Sequence, residues 1–184
     1  MRPESASSSG YAPRLSFRDV LERELDFVWA CLHRLGIAEE DLEGAVSQVF
    51  SRVKDELADF DPTRRLQPWL AGFAYRVALE YRPTPGNGLE KRDSDVDAEG
   101  PSASGEDCGG AGDDREVLSG ALQKLDLERR AVFVLHVIHG YSISEVAEVC
   151  EMPIDLAQAR LWLACAEFVQ ILNRAGWMGE RLTP

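Results

Sequence analysis

The chain has 184 residues, of which 45% are hydrophobic and 28% are charged, and this balance is typical of a soluble globular protein with one medium or two small domains. Its 20 basic and 32 acidic residues give a net charge of −12, which taken alone argues against a surface built to bind nucleic acid. The sequence has no apolar run long enough to span a membrane and no N-terminal apolar segment typical of a signal peptide. We therefore expect a cytoplasmic protein.

The cysteines and histidines indicate neither a disulfide framework nor a metal site. The four cysteines lie far apart without a CxxC pair, at Cys31, Cys108, Cys150 and Cys165. We expect Cys108 to be exposed and the other three to lie in or near the core. His136 and His139 are three residues apart, but no carboxylate or cysteine stands at a spacing that would complete a site. The sequence predicts no metal and no cofactor.

Glycine, proline and acidic residues are concentrated in the middle of the chain. Residues 83–114 hold seven of the 15 glycines and three prolines, and such a segment cannot bury enough apolar area to offset its ordering entropy. We predict a flexible acidic linker there, a disordered tail over 1–16 and a second tail over 176–184. Two compact units remain, at 17–82 and 115–175.

Apolar residues in the first unit recur at helical spacings in three segments. The first runs over 21–35 and is followed by Gly36, a typical C-terminal stop. The second runs over 42–57, and the third starts near Pro68 and runs to Tyr81. No segment alternates between apolar and polar residues, so we expect no sheet.

The second unit reads as four helical segments. Asp126 is a good N-cap for the second of them, and the run from Ser142 to Glu145 is a capping box that opens a short third helix. After the turn at Pro153, a longer amphipathic helix follows. A short helix, a tight turn and a longer helix form a candidate helix-turn-helix. The predicted fold is all-α, with two small helical domains joined by the linker.

Two sets of short motifs make the pattern specific. The second unit contains Ala121-Leu122…Leu125, Arg130…Val132-Phe133…Leu135, Gly140…Ser142…Glu145-Val146-Ala147 and Arg160-Leu161…Ala164. The first unit contains Val49-Phe50, then Asp59-Phe60-Asp61-Pro62-Thr63…Pro68-Trp69-Leu70…Ala74. The motifs of the first unit resemble the N-terminal domain of an extracytoplasmic-function (ECF) sigma factor, and those of the second unit resemble its C-terminal domain.

The resemblance implies a protein that is not an enzyme and has no catalytic residue or cofactor. It implies a subunit that binds core RNA polymerase and directs it to promoters, with the first domain on the polymerase clamp and the last helix in the major groove. The implied polymerase contacts are Asp41, Glu43, Val46, Val49 and Phe50. The implied DNA contacts are Arg64, Arg65, Trp69, Arg76, Arg82, Gln158 and Arg160.

The implied functional positions depart from the family pattern more than the core positions do. Residues 142–174 contain two basic and five acidic residues, so the surface lacks the usual electrostatic attraction to phosphates. The face that would touch DNA is apolar and consists of Leu156, Ala159, Trp162 and Leu163. Such a patch more often marks a protein contact, although these side chains could instead pack within their own domain or against the first one.

Two functions therefore remain open. In the first, the chain is a working sigma factor with weakened DNA reading. In the second, it is a degenerate sigma-like regulator that binds a protein, which could be polymerase, a true sigma factor or an anti-sigma factor.

Overall fold

The structure, a computed structural model, describes residues 15–81 and 111–177. The remaining residues include nearly all of the predicted N-terminal tail, most of the predicted linker and tail over 176–184, Arg82 and Cys108. Predictions on those residues lie outside the described part of the chain. The described residues form seven α-helices with no strand among them, so the all-α prediction is confirmed. None of the described helices is long and apolar enough to cross a bilayer.

The first helical group consists of α1 (Phe17–Leu35), α2 (Glu39–Glu56) and α3 (Leu66–Glu80), with a 3₁₀ turn at Leu57–Asp59. Helix α1 begins after Ser16, whose side chain accepts a hydrogen bond from the Asp19 backbone N–H. It ends at Gly36, which has φ +97° and so adopts the left-handed conformation that favours glycine. The predicted stop is confirmed.

The second helical group consists of α4 (Ala111–Gln123), α5 (Leu127–Phe133), α6 (Ile143–Val149) and α7 (Ile154–Arg174). A π-helical segment, Val134–Ile138, continues directly from α5. Helix α4 starts inside the predicted linker, because composition alone does not locate the first hydrogen-bonded turn of a helix.

Two local signals in this group act as predicted. The side chain of Asp126 accepts from the Arg129 N–H at 3.0 Å and caps α5. Ser142 and Glu145 form both halves of the capping box at the start of α6, with the Ser142 N–H donating to Glu145 Oε2 at 2.8 Å. A turn with Glu151 at φ 52° then leads to α7. Together α6 and α7 form the predicted helix-turn-helix.

One apolar core is shared by both helical groups. Its buried members from the first group include Val28, Cys31 and Phe73, and those from the second include Val132 and Tyr141. A smaller cluster between α4, α5 and α7 contains Leu122, Leu125, Phe133, Val134 and Ala164. The sequence predicted two separate units, and the structure adds that the two groups pack directly against each other.

The buried thiols belong to this core. Cys31 and Cys150 are buried, and burial raises the pKa of each thiol to about 12. Cys165 is half-buried. All three positions agree with the expectation from the sequence, and a thiol with a raised pKa stays protonated and unreactive at neutral pH.

A buried arginine ties the second group to the first. Arg130 Nη1 donates to the Leu35 carbonyl oxygen at the end of α1 at 2.8 Å, and Nη2 donates to the carbonyl oxygens of Gln123 and Leu125 at 2.6 and 2.7 Å. A Cβ atom on Gly36 would overlap this guanidinium. Gly36 is therefore required both for its backbone conformation and for the close approach of Arg130.

We predict that Gly36→Ala lowers the free energy of unfolding by about 2–4 kcal/mol, because it strains a left-handed position and displaces a hydrogen-bonded buried cation. Gly120→Ala is the matched control, since Gly120 lies inside α4 with no atom within 4 Å of an added Cβ, and it should stabilise the chain by about 0.5–1 kcal/mol. Urea unfolding followed by circular dichroism measures both. Equal effects of the two substitutions would contradict this account.

Candidate functional site

Four of the predicted DNA-contact residues lie along one side of a groove formed by α3 and the residues just before it, whereas Arg82 lies outside the described residues. Arg64 and Arg65 precede the helix and Arg76 lies on it. The Trp69 ring packs between Phe60 and Phe73, with ring centroids 4.7 and 4.8 Å away. The arginines and Trp69 line one groove, which α6 and the turn after it close on the other side.

Three glutamates from the second group face these three arginines. Arg64 Nη2 donates to Glu148 Oε2 at 2.6 Å and Arg65 Nη1 donates to Glu145 Oε1 at 3.2 Å. The third pair joins Arg76 Nη1 to Glu151 Oε1 at 3.1 Å. We call these three ion pairs the interdomain clasp. The glutamates recur every third residue, so they form a row along α6 and its following turn.

The clasp is exposed to solvent. The six side chains keep between 31% and 67% of their surface accessible, so each pair should contribute about 0.2–1 kcal/mol and be weakened by salt. Hydrogen bonds from the Ser142 backbone and hydroxyl, with a smaller effect of Arg65, hold the pKa of Glu145 below its usual value. That carboxylate is therefore charged at neutral pH.

Sequence reasoning missed the clasp. The repeat of glutamate at 145, 148 and 151 is visible in the sequence, but the paired residues are 75 to 84 positions apart. Nothing local indicates which arginines the glutamates would meet.

The predicted DNA-contact arginine of the recognition helix is also paired. Arg160 lies on α7, and its Nη2 is 2.5 Å from Glu128 Oε2 on α5. Its Nη1 also donates to the Met152 sulfur at 3.6 Å. Gln158 is exposed. A phosphate that approached Nη2 of Arg160 would compete with the Glu128 carboxylate.

The predicted apolar patch on α7 lies at the surface. Trp162 is 75% exposed, Leu163 is 44% exposed and Leu156 is 40% exposed, and Ala159 is exposed beside them. The two leucines are therefore partly covered by their own surroundings, whereas most of the Trp162 side chain faces solvent. Its role as a protein contact stays a prediction.

The predicted polymerase contacts on α2 fall into two sets. Asp41 and Glu43 are exposed. Val46, Val49 and Phe50 are buried in the shared core, because an apolar row at helical spacing serves first to pack a helix against its neighbours. Of the five, the two carboxylates are available at the surface.

His136 and His139 both make contacts within the folded chain. His136 donates from Nδ1 to the Tyr141 carbonyl oxygen at 2.8 Å. His139 packs against the rings of Phe27 and Tyr141, and burial lowers its pKa. Within residues 15–81 and 111–177, no group of three or more histidine, cysteine or acidic side chains is placed to hold a metal ion.

A double-mutant cycle tests the clasp. We predict that Arg76→Gln and Glu151→Gln show a coupling of about 0.2–1 kcal/mol in urea unfolding at low salt, and that the coupling falls towards zero at 1 M salt because exposed charges are screened. A parallel cycle pairing Arg76→Gln with Glu40→Gln on α2 should show none. Coupling that persists unchanged at 1 M salt would argue against an electrostatic contact.

Comparison with known proteins identifies the fold. Residues 115–167 match the family described as sigma-70, region 4. The chain resembles CnrH, solved in complex with the cytosolic domain of CnrY, at 23% identity and a TM-score of 0.61, over 86% of this chain and 88% of that one. It also resembles the sigma factor RpoE from Bartonella quintana, solved in complex with the anti-sigma factor NepR, at 19% identity and a TM-score of 0.62, over 85% and 96% of the two chains. No curated protein matches the sequence.

Proposed function

We propose that this chain is a divergent ECF sigma factor that acts in transcription initiation by binding core RNA polymerase and directing it to promoters. Residues 115–167 match the sigma-70 region 4 family, and the fold is similar to that of CnrH and of the sigma factor RpoE. The observation that carries the proposal is the fold match over more than four-fifths of the chain. The predicted order of the two sigma domains supports it.

The proposed polymerase contact is the exposed start of α2. Asp41 and Glu43 project from this helix into solvent, and the buried Val46, Val49 and Phe50 hold it against the core. In this proposal the carboxylates meet basic groups of the polymerase, while the apolar residues keep α2 in place.

We predict that Asp41→Lys with Glu43→Lys weakens co-purification with core polymerase about tenfold, because two attractive charges become repulsive at the contact. The matched control is Asp26→Lys with Glu116→Lys, two exposed acids on α1 and α4, which should leave co-purification unchanged. Unchanged binding of the Asp41/Glu43 variant would show that α2 is not the contact and would favour the second candidate.

The second candidate is a sigma-like regulator that binds a protein through α7 instead of reading DNA. The exposed Trp162 and the pairing of Arg160 with Glu128 favour it. CnrH and RpoE were both solved with a protein partner, and we extend this to the present chain as a proposal. The partner class is an anti-sigma factor, a true sigma factor or the polymerase itself.

For this candidate we predict that Trp162→Ala weakens the complex with the partner by about 2 kcal/mol, the size of an aromatic hot spot and equivalent to about 30-fold in dissociation constant. Trp29→Ala is the matched control, since Trp29 is a partly exposed tryptophan on α1. Titration calorimetry with the isolated partner measures both.

Binding to duplex DNA distinguishes the two candidate functions. Under the second, the full chain should not bind its own upstream region sequence-specifically at physiological salt, and Arg160→Ala should change nothing. Specific binding that Arg160→Ala abolishes and Trp162→Ala spares would contradict the second candidate and support ordinary promoter reading through α7.

A further inference from the structure

The clasp places carboxylates where a nucleic acid would place phosphates. Arg64, Arg65 and Arg76 are DNA contacts that the family resemblance predicts, and in this structure each donates to a glutamate of the helix-turn-helix. Carboxylate and phosphate oxygens accept hydrogen bonds from the same guanidinium groups. We infer that Glu145, Glu148 and Glu151 occupy the single-stranded-DNA surface of the first helical group and so inhibit DNA binding from within the chain.

This inference rests on the proposed function, because it takes the three arginines as DNA contacts. The groove supports single-stranded DNA as the ligand over duplex DNA. Beside the arginines it presents the partly exposed Trp69, and an aromatic ring flanked by basic groups is typical of surfaces that bind single strands by stacking bases and pairing with phosphates.

Backbone packing, rather than side-chain reach alone, positions the glutamates. Helix α6 lies against α3 at Gly72, where an added Cβ would be 3.8 Å from the Val149 carbonyl oxygen. The capping box of Ser142 and Glu145 fixes the start of α6. The glutamate row is therefore presented to the arginines by an ordered element of the fold.

The strength of the clasp suits a reversible inhibitor. Its pairs are solvent-exposed, so each stabilises the closed arrangement only a few-fold and salt weakens it. A DNA strand offers a continuous row of phosphates and can displace three carboxylates. The effect of the clasp is to raise the concentration of DNA required for binding.

The test is DNA binding by the full chain carrying Glu148→Gln and Glu151→Gln. Glu145 is kept because its carboxylate also caps α6. The probe is a fluorescein-labelled single-stranded 20-mer of mixed sequence, titrated by anisotropy at 50 and 150 mM salt. We expect binding about tenfold tighter than that of the natural chain, with a steeper salt dependence because more arginines are free to contact phosphates.

Two controls separate unmasking from a general change in charge. Asp26→Asn with Glu116→Gln alters the net charge equally on α1 and α4, outside the clasp, and should leave binding within about twofold of the natural chain. Adding Arg64→Gln and Arg76→Gln to the Glu148/Glu151 variant should remove the gain. A variant that binds no tighter, a control that gains as much, or a gain that survives loss of the arginines would overturn the inference.

Folding and the proposed function are checked separately. If the double variant unfolds at a lower temperature than the natural chain, the single variant Glu148→Gln replaces it, and its DNA affinity should rise about threefold. Co-purification of the natural chain with core polymerase is measured alongside. Retained polymerase binding without any gain in DNA binding would overturn self-inhibition and leave the proposed function standing.

Discussion

One buried arginine, Arg130, joins the two helical groups through hydrogen bonds to backbone carbonyl oxygens. Arg130 is 9% exposed and donates to carbonyl oxygens of Leu35, Gln123 and Leu125, so it joins the C-terminal end of α1 to the α4–α5 turn. The C-terminal end of a helix carries partial negative charge and favours a cation. Gly36 leaves the space that the guanidinium occupies, so this contact adds a directional constraint to the packing of the shared core.

Local signals in the sequence predicted the helices well, whereas contacts between distant residues were not predictable. Gly36, Asp126 and the Ser142–Glu145 box act within three or four residues of their own position. The clasp joins arginines and glutamates more than 70 positions apart, and no periodicity encodes such a pairing. The row Val46, Val49 and Phe50 shows the related problem, since one apolar pattern serves equally for a core and for a docking surface.

The glycine inside α2 has a structural reason. Gly44 lies in the middle of α2, where glycine ordinarily costs about 1 kcal/mol. An added Cβ there would lie 3.3 Å from the Tyr81 hydroxyl, and that hydroxyl accepts a hydrogen bond from Gln48 Nε2 at 3.3 Å. The glycine lets the residue that follows α3 approach α2 closely.

The shared core also has a consequence for synthesis of the chain on the ribosome. Val28, Cys31 and Phe73 are covered in part by residues of the second helical group, which are translated later. At about 5–20 residues per second, the 96 residues from 82 to 177 take about 5–20 seconds to add. During that interval the nascent first group exposes an apolar face that the finished protein buries. A chaperone or a partner has access to this face until the second helical group packs against it.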